Sequence, residues 1–421
     1  MKNIIIFIML IFFIGNLFSV ASDESFIDIH GFVSQGYLQS SHNNFITSTQ
    51  DGTFKFNEIG LNFATDLSEK LHVGFQMLAR DLDKEGFTPV NLDWAYGDYR
   101  WNDFLGLRMG LIKVPYGLYN EIRDIDFLRT NILMPQSIYN EGWRESVSSI
   151  EGGGIYGVIP LVGFGTMNYQ VYSGLVKLPE DGRMSKSVTL SIFEQDSQNI
   201  VEKQSNVANI QWETPLDGLK LGFSWLDLDF DSSGINAYSR KAKEMGLTPN
   251  LETIENEWDS EVYTGFMEFS WGNLTLSAEY TEYNYDVEFI YHVPYNHPQA
   301  GAMYVPQTFE PFTAMGYYGS LTYRFTNWFE ANSYYAEYYF DKDDKEGKRF
   351  SDAGLEDYRG WLKDATFALR FDIDEYWTLK LEGHKMYGVA FTFGDENLEE
   401  DGTSAYEEDW YLFGAKVTFN F

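Results

Sequence analysis

The closing stretch of the chain, Asp409-Trp410-Tyr411-Leu412-Phe413-Gly414-Ala415-Lys416-Val417-Thr418-Phe419-Asn420-Phe421, leaves few folds open. Tyr411, Phe413, Ala415, Val417, Phe419 and Phe421 fall on one face. Leu412, Gly414, Lys416, Thr418 and Asn420 fall on the other. Period-two alternation of this kind belongs to a β-strand whose two faces meet different surroundings. One face is apolar and aromatic, while the other carries a lysine and small polar groups. An edge strand of a soluble sandwich would bury the apolar face and close on a polar tail. Here the apolar face runs to the final residue.

The same rhythm recurs along the chain. Leu71, Val73, Phe75, Met77 and Ala79 alternate with His72, Gln76 and Arg80, and Leu105, Leu107, Met109 and Leu111 flank Arg108. Tight turns are expected at 66–70, 102–103, 162–163, 217–218, 272–273, 327–328 and 374–375. Long polar connections are expected at 40–53, 83–86, 115–153, 176–205, 231–259, 290–312, 341–362 and 391–408. Short and long connections alternate strictly, which predicts an all-β fold. It is a transmembrane antiparallel β-barrel of about sixteen strands, with short periplasmic turns and long extracellular loops. In hydrocarbon every backbone N–H and C=O needs a partner, so the final strand must close on the first, at 27–39. Trp101, Trp271, Trp328 and Trp377 all sit beside short turns, where an indole can hold its apolar body and its N–H at a membrane boundary.

Targeting and composition agree with that plan. Met1-Lys2-Asn3 is a short basic region, residues 4–18 are apolar, and Ser19-Val20-Ala21 is a small-residue cleavage motif. Residues 1–21 therefore read as a signal peptide and 22–421 as one exported barrel domain, placed in the outer membrane of a Gram-negative-type bacterium. Aromatic residues make up 18% of the chain, yet mean hydropathy is -0.31, a pairing that suits strands apolar on alternate residues only. With no cysteine, a disulfide framework and thiolate chemistry are excluded. A net charge of -33 disfavours nucleic acid, because phosphate neutralisation needs clustered Lys and Arg.

Turning the apolar faces to lipid leaves an inward set that includes Arg80, Asp98, Arg100, Arg108, Glu268, Glu279, Arg324, Arg370, Lys380, Glu382 and Lys416. The same assignment turns His72, Gln211, Lys220 and His384 inward. A charge on the lipid face would cost roughly 2–4 kcal/mol at the midplane, which favours this arrangement. Acids crowd the loops instead, as at Asp395, Glu396, Glu399, Glu400 and Asp401. A polar wall in a barrel this wide implies internal water and hence a channel for small hydrophilic solutes or ions. Residues 115–153 form the candidate constriction loop, with Arg123, Asp124, Asp126, Arg129 and Arg144 as its charged residues beside Glu141 and Glu145. Facing charges of both signs there would set up a transverse field that sorts solutes. Salt bridges that merely hold the loop are the plainer alternative for any single residue.

Gly110-Leu111-Ile112-Lys113-Val114-Pro115-Tyr116-Gly117 resembles the Gly-x-x-Lys-x-Pro-(Phe/Tyr)-Gly stretch of porins similar to the phosphate-selective porins O and P. The strand count, the position of the third long loop and the terminal Phe421 are similar too. The resemblance implies a sixteen-stranded homotrimer whose third loop narrows the pore, and a terminal phenylalanine read by the assembly machinery. It does not carry phosphate selectivity, because the inward bases are interleaved with Asp98, Glu268, Glu279 and Glu382. Outer-membrane lipid and lipopolysaccharide are the expected surroundings, and Asp341-Lys342-Asp343-Asp344 could bridge them through divalent ions or be an ordinary solvated loop. No cofactor, metal or catalytic residue is expected. His292 and His297 make a poor zinc pair across Pro294, and neither a Gly-x-Ser-x-Gly elbow nor a phosphate loop occurs. A structural or adhesive barrel and a barrel-embedded hydrolase are the alternatives to a channel.

Overall fold

A computed structural model describes residues 27–82, 90–178, 195–236, 253–293, 303–308, 311–392, 397 and 405–421. The signal segment, the expected loop 83–86, His297 and the acidic residues Asp395, Glu396, Glu399, Glu400 and Asp401 lie outside them. Among the described residues, eighteen hydrogen-bonded segments form one antiparallel sheet that closes on itself. The first seven strands are β1 (Asp28–Ser40), β2 (Asn57–Ser68), β3 (Leu71–Asp81), β4 (Asn91–Asn102), β5 (Leu105–Lys113), β6 (Ser149–Leu161) and β7 (Gly165–Val176). Gln195–Glu202 and Gln204–Glu213 pair with successive stretches of one neighbour and make a single interrupted strand, β8. Next come β9 (Leu219–Asn236), β10 (Thr253–Trp271) and β11 (Leu274–Val293). The segments Met303–Thr308 and Phe312–Thr326 likewise form one strand, β12. The series ends with β13 (Phe329–Tyr339), β14 (Trp361–Asp372), β15 (Trp377–Gly388) and β16 (Asp409–Asn420). Joining the interrupted segments in this way gives the sixteen strands that the alternation predicts.

Closure is made by β1 and β16, in register from Phe32 opposite Asn420 to Ser40 opposite Leu412. Phe421 extends it, exchanging backbone hydrogen bonds of 3.0 Å with Gly31 in both directions. The alternation of β16 lands as the sequence requires. Tyr411, Phe413 and Val417 are exposed outward, while Trp410, Leu412, Lys416 and Thr418 are buried inside. Trp101, Trp271, Trp328 and Trp377 are all exposed at the short-turn end, with Phe325, Phe329 and Phe371 stacked beside them. Together they form an aromatic girdle at that rim.

The other end departs from the expected boundaries. Residues 231–259 were expected to be a loop, but strand structure persists to Asn236 and resumes at Thr253. β11 runs for 20 residues, about twice the length needed to cross a bilayer. In these extensions the faces are polar outside and apolar inside. Leu226, Leu228 and Phe230 are buried inward, whereas Asp227, Asp229 and Asp231 point out and face Glu261, Asp259 and Glu257 on β10. Water, rather than hydrocarbon, must therefore surround this part of the sheet. The apolar side chains it encloses form a core with the internal loop. Trp143 packs against Tyr283 at 5.4 Å and Phe391 at 6.2 Å, and Tyr338 lies 4.1 Å from Phe391 between ring centroids.

Candidate functional site

Residues 114–148, between β5 and β6, turn into the barrel and spread across its interior. Lys113-Val114-Pro115-Tyr116-Gly117 makes the turn. Lys113 is buried and paired with Asp93 at 2.7 Å and with Asp124. The Pro115 carbonyl accepts from Asn209 Nδ2 on β8 at 3.0 Å, and the Gly117 amide donates to Ser224 Oγ on β9 at 3.0 Å. Gly117 takes φ +58°, a conformation that glycine adopts without steric cost. A Cβ there would also meet Glu279 Oε2 at 2.5 Å and Tyr139 Oη at 2.6 Å.

Past that turn, the loop is fastened to several sectors of the wall. In one sector, Glu279 of β11 accepts from Tyr139 at 2.6 Å, from Tyr318 at 2.7 Å and from the Leu118 amide at 3.1 Å. Glu268 of β10 accepts from Tyr119 at 3.0 Å and pairs with Lys220 at 3.3 Å. In another sector, Glu382 of β15 accepts from the Ile132 and Leu133 amides at 2.8 Å each, and His384 lies 3.0 Å from it. Lys380 and Lys416 reach Asp126 at 3.1 and 3.2 Å, and Thr418 donates to the same carboxylate at 2.7 Å. Thr130 donates to Glu330 of β13.

Glu58 and Arg80 extend the network along β2 and β3. Glu58 meets Lys416 at 2.6 Å, Arg80 at 2.9 Å and Arg144 at 3.3 Å. Arg80 also holds Glu141 at 2.7 Å, which Arg123 meets at 3.1 Å, and Arg144 pairs with Asp124. Arg129 lies 3.7 Å from Asp126 and donates to the Arg123 and Ile132 carbonyls. The charges that could have faced each other across open water are thus in direct contact. Buried, hydrogen-bonded pairs of this kind neutralise one another locally and hold the loop.

Other predicted residues lie apart from this cluster. Arg108 pairs with Asp98 at 2.8 Å on the β4–β5 wall. Arg370 and Arg324 share Asp372 at 2.8 and 2.5 Å near the short-turn rim, and exposed Arg100 lies 3.7 Å from Asp103 at a turn. Asp341 pairs with Arg349 at 3.0 Å, and Asp344 accepts from the Lys348 and Arg349 amides, so that acidic run organises its own loop. Sequence reasoning missed Glu58, Asp93 and Lys113. Glu58 shares the inward parity of Gly60 and Asn62, a signal that was available. Asp93 sits at an irregularity in the β3–β4 register and breaks the alternation.

Loop carboxylates are tuned accordingly. Burial raises the Asp126 carboxyl, but Lys380, Lys416 and Arg129 outweigh it and hold it below the ordinary carboxylate range. Glu141 is likewise raised by burial and then brought down by Arg80 and Arg123. Glu121 moves the other way, pushed up by burial despite its hydrogen bond from Gln170. Because Asp126 and Glu141 titrate below their free values, their contribution to loop docking is complete above the ordinary range. It is lost as pH falls through their folded values. Glu121, being raised, opposes docking when ionised and is relieved on protonation. We expect ion conductance to hold or fall slightly from pH 7 to about 4, as Glu121 protonates and the loop tightens, and to rise below that as Asp126 and Glu141 protonate and the loop loosens. Bilayer recordings across that range check the direction.

A closed sixteen-stranded antiparallel barrel with a long loop folded inside it is the fold of an outer-membrane porin. Solved structures agree. An anion-selective porin from Comamonas acidovorans superposes with a TM-score of 0.56 at 13% identity, covering 94% of this chain and 100% of that one. The outer membrane channel DcaP of Acinetobacter baumannii gives 0.54 at 13% identity over 96% of this chain and 100% of its own. Outer-membrane expressed OmpT of Vibrio cholerae gives 0.54 at 9% identity, covering 96% and 99%. No family model and no curated protein matches the sequence.

Proposed function

We propose that this protein is an outer-membrane channel for the passive diffusion of small hydrophilic solutes or ions, exported by cleavage after residue 21. The reading is supported by a closed porin-fold barrel with charged and polar side chains on its inner wall and residues 114–148 docked against that wall. A wall of paired charges supports weak charge selectivity. The likeness of residues 110–117 to the phosphate-selective O and P porins supports a place in that group and, with it, a homotrimer in lipid and lipopolysaccharide. Phosphate itself is a poor candidate solute, because Lys380, Lys416, Arg80 and Arg144 are committed to carboxylates.

Planar-bilayer recording of the purified protein tests the reading. Discrete conductance steps are expected, with a reversal potential close to zero in a KCl gradient. A protein that conducts no ions at any voltage would leave the structural, adhesive barrel as the surviving account. A strongly anion-selective reversal potential would show that free bases line the path.

A further inference from the structure

At mid-height the loop seals most of the inner wall. Ser34, Glu58, Thr281, Asn332, Lys380 and Lys416, spread over β1, β2, β11, β13, β15 and β16, are each at most 4% exposed. One sector differs. On β4 to β7 the inward side chains of Trp94, Tyr96, Arg108, Tyr156 and Gln170 are only half-buried. Beside them, three inward positions on neighbouring strands carry no side chain. Gly110, Gly152 and Gly174 stand in register across β5, β6 and β7. The loop covers this sector only in part, touching it through Glu121, which accepts from Gln170 at 3.1 Å.

The groups presented there have a definite chemistry. Arg108 donates to Asp98 through Nε at 3.1 Å and Nη2 at 2.8 Å, and Tyr156 donates to the same carboxylate. The guanidinium lies 4.4 Å from the centroid of Tyr96 and 4.9 Å from that of Tyr156. It is neutralised and held flat, a hydrogen-bonding surface with no net charge. Trp94 and Tyr96 stack at 5.2 Å to make a broad aromatic platform. Gln170 adds an amide that donates to Glu121 at 3.1 Å and accepts from Tyr172 at 2.9 Å. Flat aromatic faces beside a neutral ion pair and an amide match a solute with an apolar ring face and a rim of hydroxyls.

We propose that solutes pass off-axis along the β4–β7 wall, and that this lane takes neutral hydroxylated solutes of sugar-ring type, with Arg108–Asp98 and the Tyr96 platform as their contacts. The inference rests on the channel reading, and its test separates the two.

Because the chain has no native cysteine, single cysteines report position without a background. Gln170→Cys places a thiol in the lane. Ser34→Cys, a near-isosteric change at a hydroxyl 1% exposed, places one on the sealed wall. A bulky neutral methanethiosulfonate should cut the conductance of Gln170→Cys by roughly half or more and leave Ser34→Cys unchanged. Maltose should reduce the ion current of the unmodified channel in a graded manner, and Tyr96→Ala should raise the half-blocking concentration about fivefold. Equal blockade of both cysteine variants, or blockade of Ser34→Cys alone, overturns the lane. A conducting channel indifferent to maltose overturns the solute class. A barrel that conducts nothing before modification overturns the channel reading, and the lane with it.

Discussion

Replacing Asp126 with alanine is expected to cost about 3–5 kcal/mol and to release the loop from the β15–β16 wall. The size follows from what the carboxylate holds. Lys380 is 0% and Lys416 1% exposed, and Asp126 is the carboxylate within pairing distance of both. Lys416 keeps Glu58 as a second partner at 2.6 Å, whereas Lys380 is left with the Asp126 and Asn131 carbonyls. Removing one member of a buried pair leaves an uncompensated charge, which costs more than the pair itself contributes. Thermal unfolding in detergent should show a lower midpoint, and bilayer recordings a larger and noisier conductance. Adding Lys380→Met to Asp126→Ala should recover part of the lost stability, because the stranded charge is gone, while conductance stays high. If both variants keep the parent's conductance, the loop does not limit flow.

Much of this architecture is legible in the alternation of residues, because hydrocarbon outside and polar surroundings inside impose opposite demands on neighbouring positions. Strand number, turn positions and the closing pair all follow from that contrast. The contrast also explains where the reading failed. In Leu226 to Asp231 the period is intact but its sense is reversed, since a sheet in water turns its apolar side inward. Alternation alone does not say which face is which, so the strand ends that continue it, 231–236 and 253–259, passed for a loop. The loop's docking was hidden for a different reason. Asp126 and Lys380 are 254 residues apart, and no local pattern reports that they meet. Alternation placed charges of both signs on the wall and in the loop. Geometry turns that opposition into contact, so a field expected across open water becomes a set of closed ion pairs.

Gly152→Val is expected to abolish barrel assembly, the largest effect of any single change considered. An added Cβ at Gly152 would lie 2.1 Å from the Ser173 carbonyl oxygen and 2.7 Å from the Gly174 Cα, atoms of the neighbouring strand's backbone. Gly154 and Gly174 are in the same position, at 2.0 Å from the Val171 oxygen and 2.3 Å from the Glu151 oxygen. β6 and β7 therefore approach too closely on the inner face for any side chain to stand between them, as happens where a sheet bends sharply. Relief would require the strands to part, opening ladder hydrogen bonds from Ile150 opposite Val176 to Leu161 opposite Gly165. In a membrane no water replaces those bonds, so the loss is on the order of 4 kcal/mol or more. Gly319→Ala is the control, since a Cβ there meets nothing within 4 Å, and its barrel should assemble normally. The readout is the fraction of protein that migrates as a heat-modifiable folded band after refolding into detergent or lipid. A Gly152→Val barrel that folds as well as Gly319→Ala would show that β6 and β7 can separate.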